Sequence, residues 1–506
     1  MTPKDYHTGK ASLDQTDDYD GTLMTTGPEK KKAGTSPIPI GTHDHRNFMG
    51  TIMEGVNVDE IFMKLFGEVP LSPPLMSIAM TSYNTSQSLT MLPIHSNLAG
   101  ISPVEQQLLN YFVTAICPYC ICYPNIKQPA QPNPEMNPYL YLIVPLAMRS
   151  TIVFNVLIAT SAKQLVMLGE KEYSKIATSY TAKVLIELPD IIQSKQKNND
   201  ADWDDVLTVI IMLCFTDIAS NCGSSWLVHL NGAKQFLRDS SVRNSMSPIS
   251  KFFVRYFVSH EVMGETSWEN RAGRVNAIPQ PIADDQYMLR LKNDYSTDID
   301  LVLGCSPYLI TLIHKTNVLG ACYEDLELEA PEDRVDFEND ILEKKEILSQ
   351  EITNMVQRFD SSDESATHVR TIAEIKKLAA RLYLFARVDI ENSYYGGTFG
   401  TYQFAEKMRK IGKLASRLVE LQKTLPDTYV TLLWPLFVLG IVCANDEEIR
   451  WFVLDALTRM QKTRELRSVR TARTVVLSVW KEKDLGRPCV RWKDILKDKC
   501  NTLSLA

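Results

Sequence analysis

Apolar residues recur every three or four positions from residue 104 almost to the end of the chain. In the first such stretch the apolar positions are Val104, Leu108, Leu109, Phe112, Val113 and Ile116. This spacing places them on one face of a helix. Ser102 stands where an N-cap belongs, Pro103 takes the first helical position and Glu105 completes a capping box. We therefore expect the folded region to begin at residue 101, with a helix over residues 103–116.

The same helical spacing continues along the rest of the chain, and few stretches alternate as a strand does. Further helices are predicted over residues 145–168, 172–195, 202–219, 224–239, 250–264, 306–326, 372–388, 432–443, 446–460 and 468–483. The sequence contains no repeat of fixed period. The predicted fold class is all-α, with one large multi-helix domain over residues 101–500.

The first 100 residues follow a different pattern. Residues 1–46 are polar and include the lysine run 30–32, a composition typical of disorder. A short helix capped by Asn57, with Glu60 reaching back to the cap, is predicted next. A linker rich in Ser, Thr and Pro follows it. We expect residues 1–100 to form a disordered or linker-like arm with one short helix.

The most apolar run covers residues 139–168 and contains Pro145, Arg149, Asn155 and Lys163. These residues are poorly suited to bilayer hydrocarbon, so the run predicts buried helices and no membrane span. The N-terminal residues lack the apolar segment of a signal peptide. Without export, the ten cysteines are expected to be reduced thiols in the cytosol or nucleus.

The net charge and the absence of known motifs reduce the number of function classes that fit the sequence. The chain has 506 residues and a formal net charge of −7, whereas a domain that grips nucleic acid through its own charge carries a basic excess. The sequence contains no phosphate-binding loop, no dinucleotide-binding glycine motif, no H-E-x-x-H and no G-x-S-x-G. We therefore expect a protein that is not an enzyme, with no catalytic residue, cofactor-binding residue or metal ligand in this chain.

One short stretch suggests chemistry, namely C-P-Y-C at residues 117–120, with Cys122 beyond it. Such a pair is typical of dithiol enzymes and also forms half of many zinc sites. A dithiol enzyme places its first cysteine at the start of a helix, whose dipole stabilises the thiolate, but Cys117 follows the predicted helix. The next cysteine is Cys214, and no nearby histidine completes a zinc site. We expect semi-buried thiols, with the pKa of Cys117 raised.

Histidines and acidic residues have structural interpretations. His229, His260 and His314 lie among apolar neighbours, which favours hydrogen-bonded core or partly exposed histidines over ligands or bases. The trio at residues 43–45, His-Asp-His, is interpreted as part of a solvated arm, with weak metal binding as the alternative. The acidic residues between 324 and 346 favour a solvated helix face and loop over an acidic interaction segment.

Basic residues recur near the end of the chain, at Arg464, Arg467, Arg470, Arg473, Lys481, Lys483, Arg487, Arg491 and Lys493. A basic stripe of this kind is able to contact phosphate. The interleaved apolar residues are Leu466, Val469, Val475, Val476, Val479 and Trp480. This alternation favours an amphipathic surface helix.

Several segments, in a fixed order, carry a family pattern: residues 108–124, 137–165, 203–237, 303–319, 379–388 and 432–453. Within and after them the matching residues include Asn137-Pro138, Pro145-Leu146-Ala147, Ser224-Ser225-Trp226, His229-Leu230, Gly232-Ala233, Gly304, Trp434-Pro435-Leu436-Phe437, Asp446-Glu447-Glu448, Trp480 and Trp492. In these segments the chain resembles the fungal-specific transcription factor domain. That domain is the helical regulatory region that lies C-terminal to the DNA-binding module of fungal zinc-cluster regulators.

The resemblance covers about residues 100–496 and offers no catalytic residues. It implies a nuclear transcription regulator. The family's zinc cluster needs six cysteines and would precede residue 100, where this chain has no cysteine. We expect the cluster to have been lost or to lie in a missing N-terminal exon, so zinc is a cofactor only if that module exists.

Three functions follow as hypotheses. The first is a nuclear regulator that controls a metabolic or secondary-metabolite gene cluster through its helical domain. Its expected partners are the transcription machinery or another zinc-cluster regulator, a second copy of the chain, a small-molecule effector, and DNA indirectly or through a missing module. The second is a ligand-sensing or protein-interaction protein that kept the fold without binding DNA. The third is a thiol enzyme built on Cys117 and Cys120, which requires a pKa of Cys117 below about 8.5.

Overall fold

The computed structural model describes residues 101–124, 133–198, 202–223, 225–238, 247–267, 295–325, 334–361, 364–390, 402–426, 429–486, 492–499 and 503–506. These ranges are built from helices, and the two β-bridges among them are isolated. The all-α prediction is therefore confirmed. The predicted arm over residues 1–100, with its helix at Asn57, lies outside the described residues.

The α-helices, numbered in chain order, are α1 (Pro103–Tyr111), α2 (Val144–Ala147), α3 (Thr151–Met167), α4 (Ser174–Lys197), α5 (Asp204–Ser220), α6 (Ser225–Arg238), α7 (Pro248–Gly264), α8 (Pro307–Asp325), α9 (Arg334–Asn354), α10 (Glu364–Phe385), α11 (Tyr402–Lys423), α12 (Leu433–Val442), α13 (Glu447–Arg464), α14 (Arg467–Asp484) and α15 (Trp492–Lys499). Short π-helical turns cover Phe112–Ile116, Tyr139–Ile143 and Ala386–Ile390. Short 3₁₀ turns cover Cys117–Cys120, Lys171–Tyr173 and Val430–Leu432.

The capping box at the start of α1 is present as predicted. The amide N–H of Glu105 donates to Ser102 Oγ at 3.3 Å, and the amide N–H of Ser102 donates to Glu105 Oε2 at 2.8 Å. The helix does not continue unchanged to residue 116. It widens into a π-helical turn over Phe112–Ile116 and then tightens into the 3₁₀ turn Cys117–Cys120.

The single helix predicted over residues 145–168 is wrong in one respect, because α2 and α3 are separated by a turn at Met148–Ser150. Ala147 and Ile152 on either side of this turn are buried, whereas Arg149 is exposed. The following α3 is buried over most of its surface. An arginine inside such a helix would be taken out of water without a partner, and the turn lets Arg149 reach solvent.

Two groups of helices pack around a continuous core. In the first group α3 packs against α1, α4 and α5, and α5 also contacts α6 and α7. In the second group α10 packs against α11 and α12, and α12 contacts α13 and α14. The contacts of α8 with α7 and of α14 with α5 join the two groups.

The centre of the second group is α12, all of whose residues are buried. Its Gly440 lies against α14, since a Cβ there would come within 2.8 Å of Val476 Cγ1. The indole N–H of Trp480 donates to the Gly440 carbonyl oxygen at 2.9 Å. The crossing of α12 and α14 therefore depends on a glycine.

Three helices, α9, α11 and α15, lie outside the predicted helices. The first, α9, begins beyond the predicted helix 306–326 and contains part of the acidic stretch. The buried residues Ile411, Ala415 and Leu418 of α11 are three or four positions apart. This spacing is itself a helical signal, so α11 was predictable.

The last described residues return to the core. Leu503, Ser504 and Leu505 are buried, and the Leu503 carbonyl accepts a hydrogen bond from Ser267 Oγ at 2.7 Å. The amide N–H of Ser504 lies 3.5 Å from Cys222 Sγ. In the described part of the chain, no helix has the length and apolar character needed to cross a bilayer.

Candidate functional site

Three charged side chains meet where α8, the π-helical turn after α10, and α15 come together, two of them buried and the third mostly enclosed. Glu324 Oε1 accepts hydrogen bonds from Arg387 Nη1 and from Lys493 Nζ, the latter at 3.0 Å. The side chains of Arg387 and Lys493 are only 1% and 6% exposed. We call Glu324, Arg387 and Lys493 the charged cluster.

Local backbone geometry places Arg387 in this cluster. It lies in the π-helical turn Ala386–Ile390, which changes the direction of the side chains at the end of α10. Its guanidinium packs against Gly320 on α8, where a Cβ would come within 2.6 Å of Arg387 Nε. A residue larger than glycine at position 320 would displace the guanidinium.

The ionisation of Glu324 depends on its two partners. Burial of the carboxyl group disfavours its charged form, but the positive charges of Arg387 and Lys493 outweigh this effect. The pKa of Glu324 is therefore lowered from its ordinary value of 4.5 to about 2. The cluster holds an ionised carboxylate in the domain interior at neutral pH.

A second hydrogen-bond network, which includes the carboxylate of Glu265, lies beside the charged cluster. Tyr383 Oη donates to Asn317 Oδ1 at 2.6 Å, and Asn317 Nδ2 donates to Glu265 Oε2 at 2.8 Å and to the Val262 carbonyl at 2.9 Å. His314 Nδ1 lies 3.6 Å from the same Glu265 oxygen. Burial raises the pKa of Tyr383 to about 12.

Thr266 extends the network to two tryptophans. Trp434 Nε1 donates to Thr266 Oγ1 at 3.0 Å, and Trp492 Nε1 donates to the Thr266 carbonyl at 2.9 Å. Together with the charged cluster, these groups form what we call the polar core: Glu265, Thr266, His314, Asn317, Glu324, Tyr383, Arg387, Trp434, Trp492 and Lys493. Its members belong to or adjoin α7, α8, α10, α12 and α15.

Hydrogen bonds and ion pairs between enclosed groups on different helices favour one arrangement of those helices. Removing a single charged member is costly, because its partner is left buried and unpaired. The chemistry of the polar core is therefore suited to fixing the position of α15 relative to α8 and α10. It was not found from the sequence, since Glu324 and Lys493 are 169 residues apart.

The C-P-Y-C thiols do not join the polar core. Cys117 and Cys122 are fully buried, whereas Cys120 is half-buried, so the semi-buried prediction is correct for Cys120 alone. Burial raises the pKa of Cys117 well above its ordinary value and that of Cys120 to about 12. The raised pKa of Cys117 agrees with the prediction and disfavours the thiol-enzyme hypothesis, since the thiolate is the nucleophile.

The fold brings Cys214 near these thiols, although Cys214 is far from them in the sequence. The pKa of the buried Tyr139 is raised by burial and by the neighbouring Cys120, Cys214 and Cys117. Within the described residues no group of three or more His, Cys, Asp or Glu side chains is placed to hold a metal ion. The cysteine and tyrosine side chains pack together as part of the core.

The prediction of hydrogen-bonded core histidines is confirmed for His229 and His260. His229 Nε2 lies 3.1 Å from Asp217 Oδ2, and His260 Nδ1 donates to the Tyr256 carbonyl at 2.8 Å. Both side chains are buried. The trio at residues 43–45 lies outside the described residues.

The surface-helix interpretation of the basic stretch is confirmed for α14, whose buried residues include Val469, Val475, Val476 and Val479. The recurring basic residues do not form one stripe. Arg464 is buried at the end of α13, and Lys493 is buried in the charged cluster. Arg487 and Arg491 lie outside the described residues.

The solvated-face interpretation of the acidic stretch is wrong for Glu324, whose side chain is only 15% exposed and pairs with Arg387. It holds on α9, where Asp340 pairs with Lys344 at the surface at 2.5 Å. Glu324 differs from the acidic residues on α9 because two cations from distant parts of the chain, Arg387 and Lys493, pair with it. Residues 326–333 lie outside the described part of the chain.

Comparison with known families gives one result. Residues 107–506 match the family model described as "Fungal specific transcription factor domain". This range includes the whole of the polar core. No zinc-cluster family matches the chain, no curated protein matches it, and no solved structure matches it.

Proposed function

Because the chain belongs to the fungal specific transcription factor domain family, and is therefore a fungal transcription regulator in general, we propose that it acts in the nucleus through the helical domain itself. The match over residues 107–506 carries this proposal. The family is one of regulators, which supports a role without catalysis. We further propose that the regulated genes form a metabolic or secondary-metabolite cluster.

The polar core supports a regulatory mechanism that works by moving α15. The Lys493–Glu324 ion pair and the Trp492–Thr266 hydrogen bond attach α15 to the rest of the domain. A partner or effector that binds the attached and detached arrangements with different affinity would shift the balance between them. We propose this shift as the means by which the domain changes its contacts with transcription machinery.

DNA contact is proposed to be indirect, through another zinc-cluster regulator, or through a module that these 506 residues do not include. The first 116 residues contain no cysteine, and a binuclear zinc cluster cannot form without cysteine ligands. A homodimer and a small-molecule effector are further proposed partners. The alternative function remains a ligand-sensing or protein-interaction protein that kept the fold.

A reporter assay tests the regulatory function. The full chain is fused to a heterologous DNA-binding module and expressed in fungal cells that carry a reporter with the matching site. We expect the fusion to change reporter output at least about threefold from that of the module alone, in either direction. Unchanged output from a fusion that accumulates normally in the nucleus would contradict the proposal.

A mobility-shift experiment separates the proposed function from the alternative. The chain alone is expected to leave a promoter fragment unshifted, and the chain mixed with its zinc-cluster partner is expected to produce a supershifted complex. A partner that shifts the fragment equally well with and without the chain would favour the alternative function.

A further inference from the structure

The outward side of α13 carries an exposed tryptophan. Trp451 is 65% exposed, and its indole N–H donates to Glu447 Oε1 at 3.2 Å, one turn back on the same helix. This contact holds the ring in place without covering it. Tryptophan is enriched in protein interfaces, where a few aromatic side chains supply most of the binding energy. The exposed ring therefore marks this side of α13 as a contact surface.

Two leucines of α14 extend this surface. The helix α14 lies antiparallel beside α13, since Arg450 near the start of α13 pairs with Asp484 at the end of α14, at 2.7 Å. Leu477 lies two turns before Asp484 on the same edge of α14, and it is 41% exposed. It therefore lies alongside the middle of α13. Leu485, which follows Asp484, is 60% exposed. Together with Trp451 these leucines give the two helices three exposed apolar side chains.

The exposed charges of α13 are separated along the helix. The exposed residues of its outward side, which we call the outer row, are Glu448, Trp451, Asp455, Arg459 and Lys462. They are three or four positions apart, so they lie on one face of the helix. Negative charges occupy the first part of this row and positive charges the last. In the middle, Asp455 pairs with Arg459 at 3.0 Å.

A row with this order of charges is complementary to a second copy of itself. When two rows lie antiparallel about a two-fold axis at position 455, Glu448 of one copy faces Lys462 of the other, and the Trp451 ring faces Arg459. The first contact joins opposite charges, and the second is a cation–π contact. A two-fold axis makes each contact twice. The two Asp455 carboxylates meet at the axis, where each is already paired with an arginine of its own chain.

We propose that the outer row of α13 is the contact surface of a homodimer, in which two copies of α13 pack antiparallel. Trp451 and Leu477 supply the apolar area, and the charges at the two ends of the row set the register. A parallel pair would place like charges opposite each other. A partner of one charge sign would match one end of the row and be repelled by the other, so a second copy fits best.

Sedimentation velocity of the full chain tests the association. We expect a dimer with a Kd on the order of 10 µM, because one pair of exposed helices buries less area than a permanent dimer does. W451A should raise the Kd at least about tenfold. F337A is the matched control, because Phe337 on α9 is an aromatic residue that is 55% exposed; its Kd should equal that of the parent. A parent chain that stays monomeric at about ten times the expected Kd would overturn the proposal.

A charge exchange tests the antiparallel register. E448K and K462E each place like charges opposite each other, so each should raise the Kd about tenfold. In a mixture of the two variants, both ends of a mixed dimer again join opposite charges, and its Kd should return to that of the parent. E343K on α9 reverses an exposed charge elsewhere and should have no effect. A mixture that dimerises no better than either variant alone would overturn the proposed register.

The use of this dimer in regulation rests on the proposed function, whereas the association itself does not. The reporter assay and sedimentation therefore give separate answers. A silent reporter together with a dimer that W451A weakens and the mixed variants restore would refute the function alone. A working reporter from a chain that stays monomeric would refute the dimer alone.

Discussion

The imidazole of His260 stacks on the Tyr256 ring, with the centroids 4.0 Å apart, and its Nδ1–H is bonded to the Tyr256 carbonyl. Burial disfavours the imidazolium and lowers the pKa of His260 from 6.5 to about 4. At this scale the surroundings of each titratable group decide its charge. Burial keeps His260 neutral, whereas two cations keep the partly enclosed Glu324 ionised.

The depressed pKa of His260 predicts a pH-dependent stability. The unfolded chain takes up a proton near pH 6.5 and the folded chain only near pH 4, so the contribution of His260 is present above pH 6.5. It is lost as the pH falls from about 6.5 to about 4 and amounts to about 3 kcal/mol. Urea unfolding between pH 7.5 and 4 measures it. In H260Q the free energy of unfolding should fall less steeply between pH 6.5 and pH 4 than in the parent. An unchanged slope in H260Q would contradict the prediction.

At the scale of elements, helical spacing located most of the helices, because an apolar stripe every three or four residues is a local property of the chain. The start of α1 was predicted to the residue, since Ser102 and Glu105 satisfy each other within one turn. The turn between α2 and α3 was missed, because it depends on which side of the core Arg149 faces. The polar core was missed for the same reason: its bonds join residues that only tertiary packing brings together.

The close crossing of α12 and α14 predicts the effect of a single methyl group. G440A would place a Cβ 2.8 Å from Val476 Cγ1, and we expect a loss of about 1 to 3 kcal/mol in the free energy of unfolding. Adding V476A should recover part of this loss, since it removes the methyl group that the new Cβ meets. Urea denaturation of the two single variants and the double variant measures the coupling.

Gly412 on α11 provides the matched control for this prediction. A Cβ at this position would meet nothing within 4 Å. G412A is therefore expected to stabilise the domain by about 0.5 to 1 kcal/mol, because alanine favours the helix over the unfolded chain. Equal losses from G412A and G440A would show that the α12–α14 contact is not the cause.

At the scale of the whole molecule, the charged cluster joins residues 324, 387 and 493, which belong to three separate parts of the sequence. Its charges are shielded from water, so they differ from surface pairs such as Asp340–Lys344. The domain consequently depends on a few buried charges to keep α15 in place.

Neutralising the shared carboxylate should therefore loosen α15. E324Q leaves Arg387 and Lys493 buried without their anion, and we expect a loss of about 3 to 5 kcal/mol in the free energy of unfolding. Hydrogen exchange should quicken most at residues 492–499 and 503–506, where the attachment is lost. D340N breaks an exposed pair that water screens and should leave stability close to that of the parent. Uniformly faster exchange in E324Q, without a maximum at α15, would contradict the attachment role.

The burial of Leu503, Ser504 and Leu505 beside Ser267 and Cys222 has a consequence for how the protein is made. These residues are synthesised after everything that they pack against, and 236 residues separate Leu503 from Ser267. While the ribosome is still translating the C-terminal residues, the cavity that will receive them stays open and its apolar walls are exposed. A nascent chain in this state is a substrate for chaperones, and slowing translation before residue 492 should lengthen its association with them.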